Sequence, residues 1–259
     1  MAARNRIELV GKTLGVLEAL ADGPGGCTLG DLAARTGLVK SSAFRILFTL
    51  KELGYVEQAG ANGRYRLTLK TLALARRAAL RPSLVAAARP HLARARDALR
   101  ESVWLAEWRR RDVVLVEVAE TTHKLRLSLD VGDVCPLHAS ALGKAVAAHL
   151  APEELNAALG GGPLPRFTAR TITSRNRLRR ELEHVRNLGF STNEEETIEG
   201  ALLIGAPVFD ARGSVCAAVS ASCPTVRCTP ARRQAMTDAV TSAAGAISRD
   251  LAAIGFLAR

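Results

Sequence analysis

The sequence predicts an α+β chain: an N-terminal winged helix-turn-helix, a linker helix, and a C-terminal domain built on a largely antiparallel sheet. Three observations lead there. A helix read from Ser41 to Leu53 has two unlike faces, with a turn and a shorter helix before it and a hairpin after it. Beyond residue 83, strand-like runs come in adjacent pairs joined by short turns and flanked by helices, which fits hairpins better than parallel crossovers. The charge is uneven: of a net +11, residues 1–81 hold 13 Lys and Arg against 6 Asp and Glu, a net +7, and the rest hold 23 against 19, a net +4. The expected division is 1–70, 71–83 and 84–259.

Ile7, Leu9, Val10, Leu14, Leu17 and Leu20 read as one amphipathic helix packed behind the helix-turn-helix, ending at Asp22–Gly26. Thr28, with Asp31 three residues on, is a variant capping box that opens a helix through Thr36, and Gly37-Leu38 makes the turn. In the helix from Ser41, Ala43, Ile46, Leu47, Leu50 and Leu53 recur at the spacing of a buried stripe. The other face carries Ser41, Ser42, Arg45 and Thr49, groups suited to phosphate oxygens and base edges in a major groove. Gly54 stops the helix. Tyr55–Glu57 and Arg64–Leu69 read as a wing whose Arg64 and Arg66 share a face turned toward a nucleic-acid backbone. The plain alternative is a small helical domain with a solvated polar face.

Thr71 to Leu80 reads as the linker helix, with Leu72 and Leu74 on a face that can pair with a second copy. Residues 84–101 read as a helix disturbed by Pro90. Val103–Arg109 and Asp112–Glu120 read as a strand pair turning at Arg110-Arg111, and the alternation of Leu125–Leu129 as a third strand. Ser140–Leu150 is helical, a short helix starts at Pro152, and Ser174 caps a basic helix that Gly189 ends. Ala201–Phe209 and Ser214–Ser222 are joined by the turn Asp210–Gly213, and Thr229-Pro230 opens the last helix.

In the second domain the turn from His138 to Gly143 enters a helix whose first N–H groups can receive an anion. Ser220 and Ser222, two apart on one strand, point the same way and can share a polar ligand atom, although strand serines are also often satisfied by backbone. Five cysteines without a paired framework read as reduced and cytoplasmic, and no stretch approaches the roughly 20 apolar residues of a membrane span. No cofactor motif is present.

The run from Thr36 through Leu47, followed by Leu50, Leu53–Val56 and Tyr65–Leu67, resembles the DNA-binding domain of the IclR family of bacterial transcriptional regulators. Pro136–Ala145, Ala206–Asp210, Val219-Ser220, Pro224 and Arg227 resemble the family's second domain. The resemblance implies a winged helix-turn-helix joined by a linker helix to a GAF-like effector-binding domain, assembled as a homodimer or homotetramer. It implies contact with a double-stranded DNA operator, for which Thr28, Lys40, Ser41, Ser42, Arg45, Thr49, Arg64 and Arg66 are the candidates here. It also implies a chamber in which Ala141, Leu142 and Gly143 form an anion-binding turn, Ser220 and Ser222 supply side-chain ligands, and Asn193 stands at an often acidic ligand position. Leu127, Cys135, Ala201 and Leu203 fall at its walls. Val39 stands where members often have Pro, and Phe48 is larger than expected on its helix flank, suited to a neighbouring helix or a thymine methyl. Leu203 and Leu142 make the chamber more apolar, which favours a small organic acid effector with a hydrophobic or aromatic body.

Two rivals come from other classes. One is a metal or redox sensor using Cys135, His138, Cys223 and Cys228. The other is a small hydrolase using Cys135, His138 and Ser140, although no acid follows at a convincing spacing and no Gly-x-Ser-x-Gly elbow occurs.

Overall fold

The computed structural model describes residues 7–23, 25–59, 63–79 and 84–258. The turn expected at Gly60–Asn62 and the end of the linker at residues 80–83 lie outside the described residues. The chain divides into two compact units, Met1–Arg81 and Pro82–Arg259.

In the first unit, α1 (Glu8–Ala21), α2 (Leu29–Thr36) and α3 (Lys40–Glu52) precede strands β1 (Val56–Gln58) and β2 (Tyr65–Leu67) and helix α4 (Leu69–Ala79). The cap of α2 is reciprocal: the Asp31 N–H donates to Thr28 Oγ1 and the Thr28 N–H donates to Asp31 Oδ2. This holds the Asp31 carboxyl below the usual carboxylate range. Gly37, at φ +66°, makes the left-handed turn into α3. Val16, Leu20, Leu32, Ile46, Leu47 and Leu50 form the core with Val56 and Tyr65 of the wing. The wing pairs Val56 with Leu67 and Gln58 with Tyr65, and Cys27 adds a bridge to Tyr65.

Two expectations need correction here. Leu53 is 53% exposed, because α3 ends at Glu52 and Leu53 is its cap. Ile7, Leu9, Val10 and Leu14 are also exposed, and α1 reaches the core through Val16 and Leu20. Ile7, Val10 and Leu14 project about a third of a turn away from that side, so the apolar stripe is broader than the face the core uses.

In the second unit, α5 (Leu84–Leu99) leads into a six-stranded sheet of order β5-β4-β3-β8-β7-β6, with every neighbouring pair antiparallel. Its strands are β3 (Val103–Arg109), β4 (Asp112–Ala119), β5 (Val134–Cys135), β6 (Ser191–Glu194), β7 (Ala201–Phe209) and β8 (Val215–Pro224). Between β5 and β6 run α6 (Ala141–Ala147), α7 (Pro152–Leu159) and α8 (Arg175–Leu188), and α9 (Pro230–Ala253) closes the chain. Leu92, Leu99, Met236, Val240 and Ile247 of α5 and α9 cover one sheet face. Leu142, Val146, Leu178 and Val185 of α6 and α8 cover the other.

The local signals hold. Ser174 and Thr229 cap α8 and α9, Gly189 ends α8 at φ +77°, and the Asp210 carboxylate accepts from the N–H groups of Arg212 and Ser214 across the β7–β8 turn. Leu125–Leu129, however, is not a strand. The edge of β4 at Leu115 is occupied by Gly132 and Asp133, and Val113 and Val114 pair with β5. Leu127 and Leu129 keep one face and pack on the core without a ladder. Strand β6, Ser-Thr-Asn-Glu, is so polar that its pattern conceals it.

Candidate functional site

Two surfaces answer to the candidate residues, one in each unit. In the first, Ala43, Ile46, Leu47 and Leu50 anchor α3 by its inner face. Ser41, Arg45 and Thr49 are exposed away from that face, Lys40 is exposed at the first turn beside it, and Ser42 is half-buried. At about 100° per residue, Ser41 and Arg45 stand opposite the buried stripe. The Thr49 hydroxyl donates to Arg45 O at 2.9 Å, so its proton is engaged within the helix. Thr28 is spent chiefly as the cap of α2. Arg64 Nη1 donates to Gly26 O at 2.8 Å and Arg66 Nη2 to Gly25 O at 3.5 Å, which ties the wing to the α1–α2 loop while both side chains stay exposed.

In the second unit the candidates gather on the sheet face beneath α6. Ser220 of β8 lies between Trp104 of β3 and Gly205 of β7, and Ser222 pairs with Leu203, which pairs with Asn193. Gly205 is required for contact: a Cβ there would stand 2.6 Å from Ala141 O. The start of α6 therefore rests directly on β7, and the Ser191 hydroxyl fixes it by donating to Ala141 O at 2.6 Å. Ser220 Oγ and Trp104 Nε1 are both buried without a hydrogen-bond partner among the described residues. Their residues are direct cross-strand neighbours, and each buried polar atom left unpaired costs roughly 1–3 kcal/mol.

At the turn into α6, the Gly143 N–H is already taken by Ser140 Oγ at 2.8 Å. That corrects the expectation for Gly143, whose role is close packing, since a Cβ would stand 2.3 Å from Pro136 O. Ala141 and Leu142 are fully buried there, and Cys135, Ala201 and Leu203 line the same core with Leu127 at its margin. Asn193 is buried, but its Nδ2 donates to Thr197 Oγ1 and its Oδ1 accepts from the Glu196 N–H, so its amide shapes the 193–197 loop.

Sequence reading missed the strongest electrostatic feature of this unit. Lys144 of α6 is 0% exposed, and its Nζ contacts Glu196 Oε1 at 2.5 Å and Glu181 Oε1 at 3.1 Å. Burial pushes the Glu196 carboxyl above its usual range and Lys144 opposes it. The Thr171 and Thr168 hydroxyls both donate to the backbone O of Glu196 and fix its loop, while Glu196 Oε2 is buried with no hydrogen-bond partner among the described residues. The available signal was a lone lysine in a helix otherwise made of Ala, Leu, Gly and Val.

The rival sites do not assemble. Cys135 belongs to the core on the α6 side and Cys223 to the core on the α5–α9 side, and no group of three or more ligands able to hold a metal occurs among the described residues. Burial, reinforced by Asp133, pushes the Cys135 thiol up to about 11. His138 Nε2 lies 2.9 Å from Pro165 O, and the Ser140 hydroxyl donates to Pro136 O, so neither forms a nucleophile–base pair with the other. Among the described residues no helix is long and apolar enough to cross a membrane.

Comparison with known proteins agrees with this two-part layout. Residues 9–60 match the IclR helix-turn-helix domain, and residues 77–249 match the C-terminal domain described as bacterial transcriptional regulator IclR C-terminal. The chain is similar to the HTH-type transcriptional regulator KdgR of Escherichia coli, 33% identical over 93% of this chain and 91% of that protein. It is also similar to the glycerol operon regulatory protein of Streptomyces griseus, 34% identical over 97% of this chain and 98% of that protein. Among solved structures, an IclR homolog from Microbacterium hydrocarbonoxydans complexed with 4-hydroxybenzoate aligns with a TM-score of 0.81 at 28% identity, over 95% of this chain and 99% of that one.

Proposed function

From the premise that the chain belongs to the IclR family of bacterial transcriptional regulators, we propose that its C-terminal chamber binds a small organic acid and that this occupancy sets operator affinity. The observation that carries the reading is two buried, unpaired polar atoms, Ser220 Oγ and Trp104 Nε1, on residues that pair across β8 and β3 on the face beneath α6. A carboxylate directed at the backbone N–H groups of Ala141 and Leu142, with a second oxygen between Ser220 and Trp104, satisfies both ends of such a ligand. Leu203, Leu142, Ala201 and Cys135 supply its apolar walls. The ligand bound to the Microbacterium homolog, an aromatic acid with a para hydroxyl, has that combination of groups.

On the DNA side, Ser41 and Arg45 of α3 read base edges, Lys40 and Ser42 reach phosphates, and Arg64 and Arg66 steady the wing beside the backbone. Ile7, Val10 and Leu14 of α1, with Leu69 and Leu72 of α4, form exposed apolar surface for a second copy, and a dimer presents two reading helices to two half-sites. Effector control is linkage: a ligand changes operator affinity only by as much as it prefers one arrangement of the assembly over another.

A thermal-shift screen of aliphatic and hydroxyaromatic carboxylates tests the effector reading. An effector raises the melting temperature of the wild type and not of Ser220→Ala/Ser222→Ala, which still binds operator. No stabilisation by any acid, or equal stabilisation of wild type and variant, contradicts it.

A further inference from the structure

We infer that Phe44 and Phe48 of α3 form a thymine-reading surface: two phenyl rings that meet the 5-methyl groups of thymines in the major groove. The inference rests on α3 being the reading helix and adds a base preference to it. Both rings lie outside the core, Phe44 at 50% and Phe48 at 57% exposed, although the neighbouring Ala43 and Leu47 are fully buried. Phe48 stands on the same line as Ser41 and Arg45, opposite the buried stripe, and Phe44 lies one turn before it on the flank. Their ring centroids are 6.5 Å apart and the planes are inclined by 33°.

Placing two phenyl rings in water on the most polar face of a small domain forgoes the main driving force for burying them, so the patch fits a surface that is covered in use. The surroundings select the cover. Lys40 and Arg45 flank the rings and the first unit carries most of the net positive charge, so a polyanion is the electrostatically matched occupant. Within a major groove the apolar group that the bases present is the 5-methyl of thymine. A centroid spacing of 6.5 Å corresponds to about two base steps of ~3.4 Å, so the pair addresses two methyls about two steps apart in each half-site.

The test begins with selection of duplexes from a random library by the full-length protein. Each thymine of the selected site is then replaced by deoxyuridine, which removes the methyl and keeps the base-pairing and hydrogen-bonding groups. Two of the replacements, about two steps apart, are expected to weaken wild-type binding about fourfold each, the equivalent of one buried methyl. Phe48→Ala is expected to bind thymine and deoxyuridine duplexes equally at the position Phe48 reads, and Phe48→Leu to retain part of the discrimination. Circular dichroism verifies that each variant is folded.

Selection that enriches a sequence whose affinity is unchanged by deoxyuridine at every position overturns the inference while leaving sequence-specific binding intact. So does a deoxyuridine penalty that persists undiminished in Phe44→Ala/Phe48→Ala. A drop in sedimentation mass in that double variant assigns the rings to a second copy and likewise overturns it. Failure to enrich any sequence removes the underlying DNA-reading assignment as well.

Discussion

Replacing Lys144 by Met, which keeps most of the length of the side chain and removes its charge, should strongly destabilise the second unit. Lys144 is wholly buried in α6, and its ammonium is held between Glu196 and Glu181, whose side chains are 10% and 26% exposed. Glu181 can turn to water when the ammonium is removed. Glu196 cannot, so a buried carboxylate loses its cation, a loss that typically costs about 3–5 kcal/mol. The pH dependence supplies a signature that a packing defect does not share. Burial already raises the Glu196 carboxyl and Lys144 opposes that rise, so in Lys144→Met the folded value climbs further. A carboxyl whose folded value exceeds its unfolded one holds its proton more tightly when folded; stability is then greatest below the unfolded value of about 4.5 and falls as pH rises through the folded value. The deficit of Lys144→Met is therefore largest at neutral pH and shrinks toward pH 4.5, and Lys144→Met/Glu196→Gln recovers most of it. Urea denaturation followed by tryptophan fluorescence reports on this unit specifically, because both tryptophans, Trp104 and Trp108, lie on β3. A deficit below about 1 kcal/mol, or one of equal size at pH 5 and pH 8, refutes the reasoning.

Gly205→Ala should drive a methyl into Ala141 O, cost about 1–3 kcal/mol of stability and displace the start of α6, so both melting temperature and acid response should fall. An unchanged melting temperature contradicts the close approach of β7 and α6. Ser220→Ala should leave stability unchanged or slightly raised, because it removes a buried hydroxyl that has no partner, while it weakens the response to acid. A loss of stability above about 1 kcal/mol shows that the hydroxyl is engaged within the fold.

The parts legible in the sequence were those fixed by neighbours in the chain. Thr28 with Asp31, Ser174 with Gly189, Thr229 with Pro230 and the Asp210–Gly213 turn each satisfy backbone groups within a few residues, so their chemistry is local and the structure repeats it. What required the tertiary fold was less visible. The α1 pattern shows six apolar residues but not that only part of the helix surface meets α2 and α3. Leu125–Leu129 alternates as a strand does, yet the edge it would pair with is taken by Gly132 and Asp133. Beneath α6, sheet pairing brings Trp104 beside Ser220, 116 positions further on, and the Lys144–Glu196 pair joins residues 52 positions apart. Polar β6 carries no strand pattern because its Ser191 and Asn193 are buried to serve α6 and the following turn, not to fill an apolar layer.

Equilibrium binding of wild type and Arg45→Ala to the selected duplex, and to an unrelated duplex at the same salt concentration, tests most directly whether α3 reads DNA. If Arg45 grips a base edge, the variant loses about 1–3 kcal/mol on the selected duplex and far less on the unrelated one. Equal affinities of wild type and variant for the selected duplex would show that the exposed face of α3 does not read its sequence.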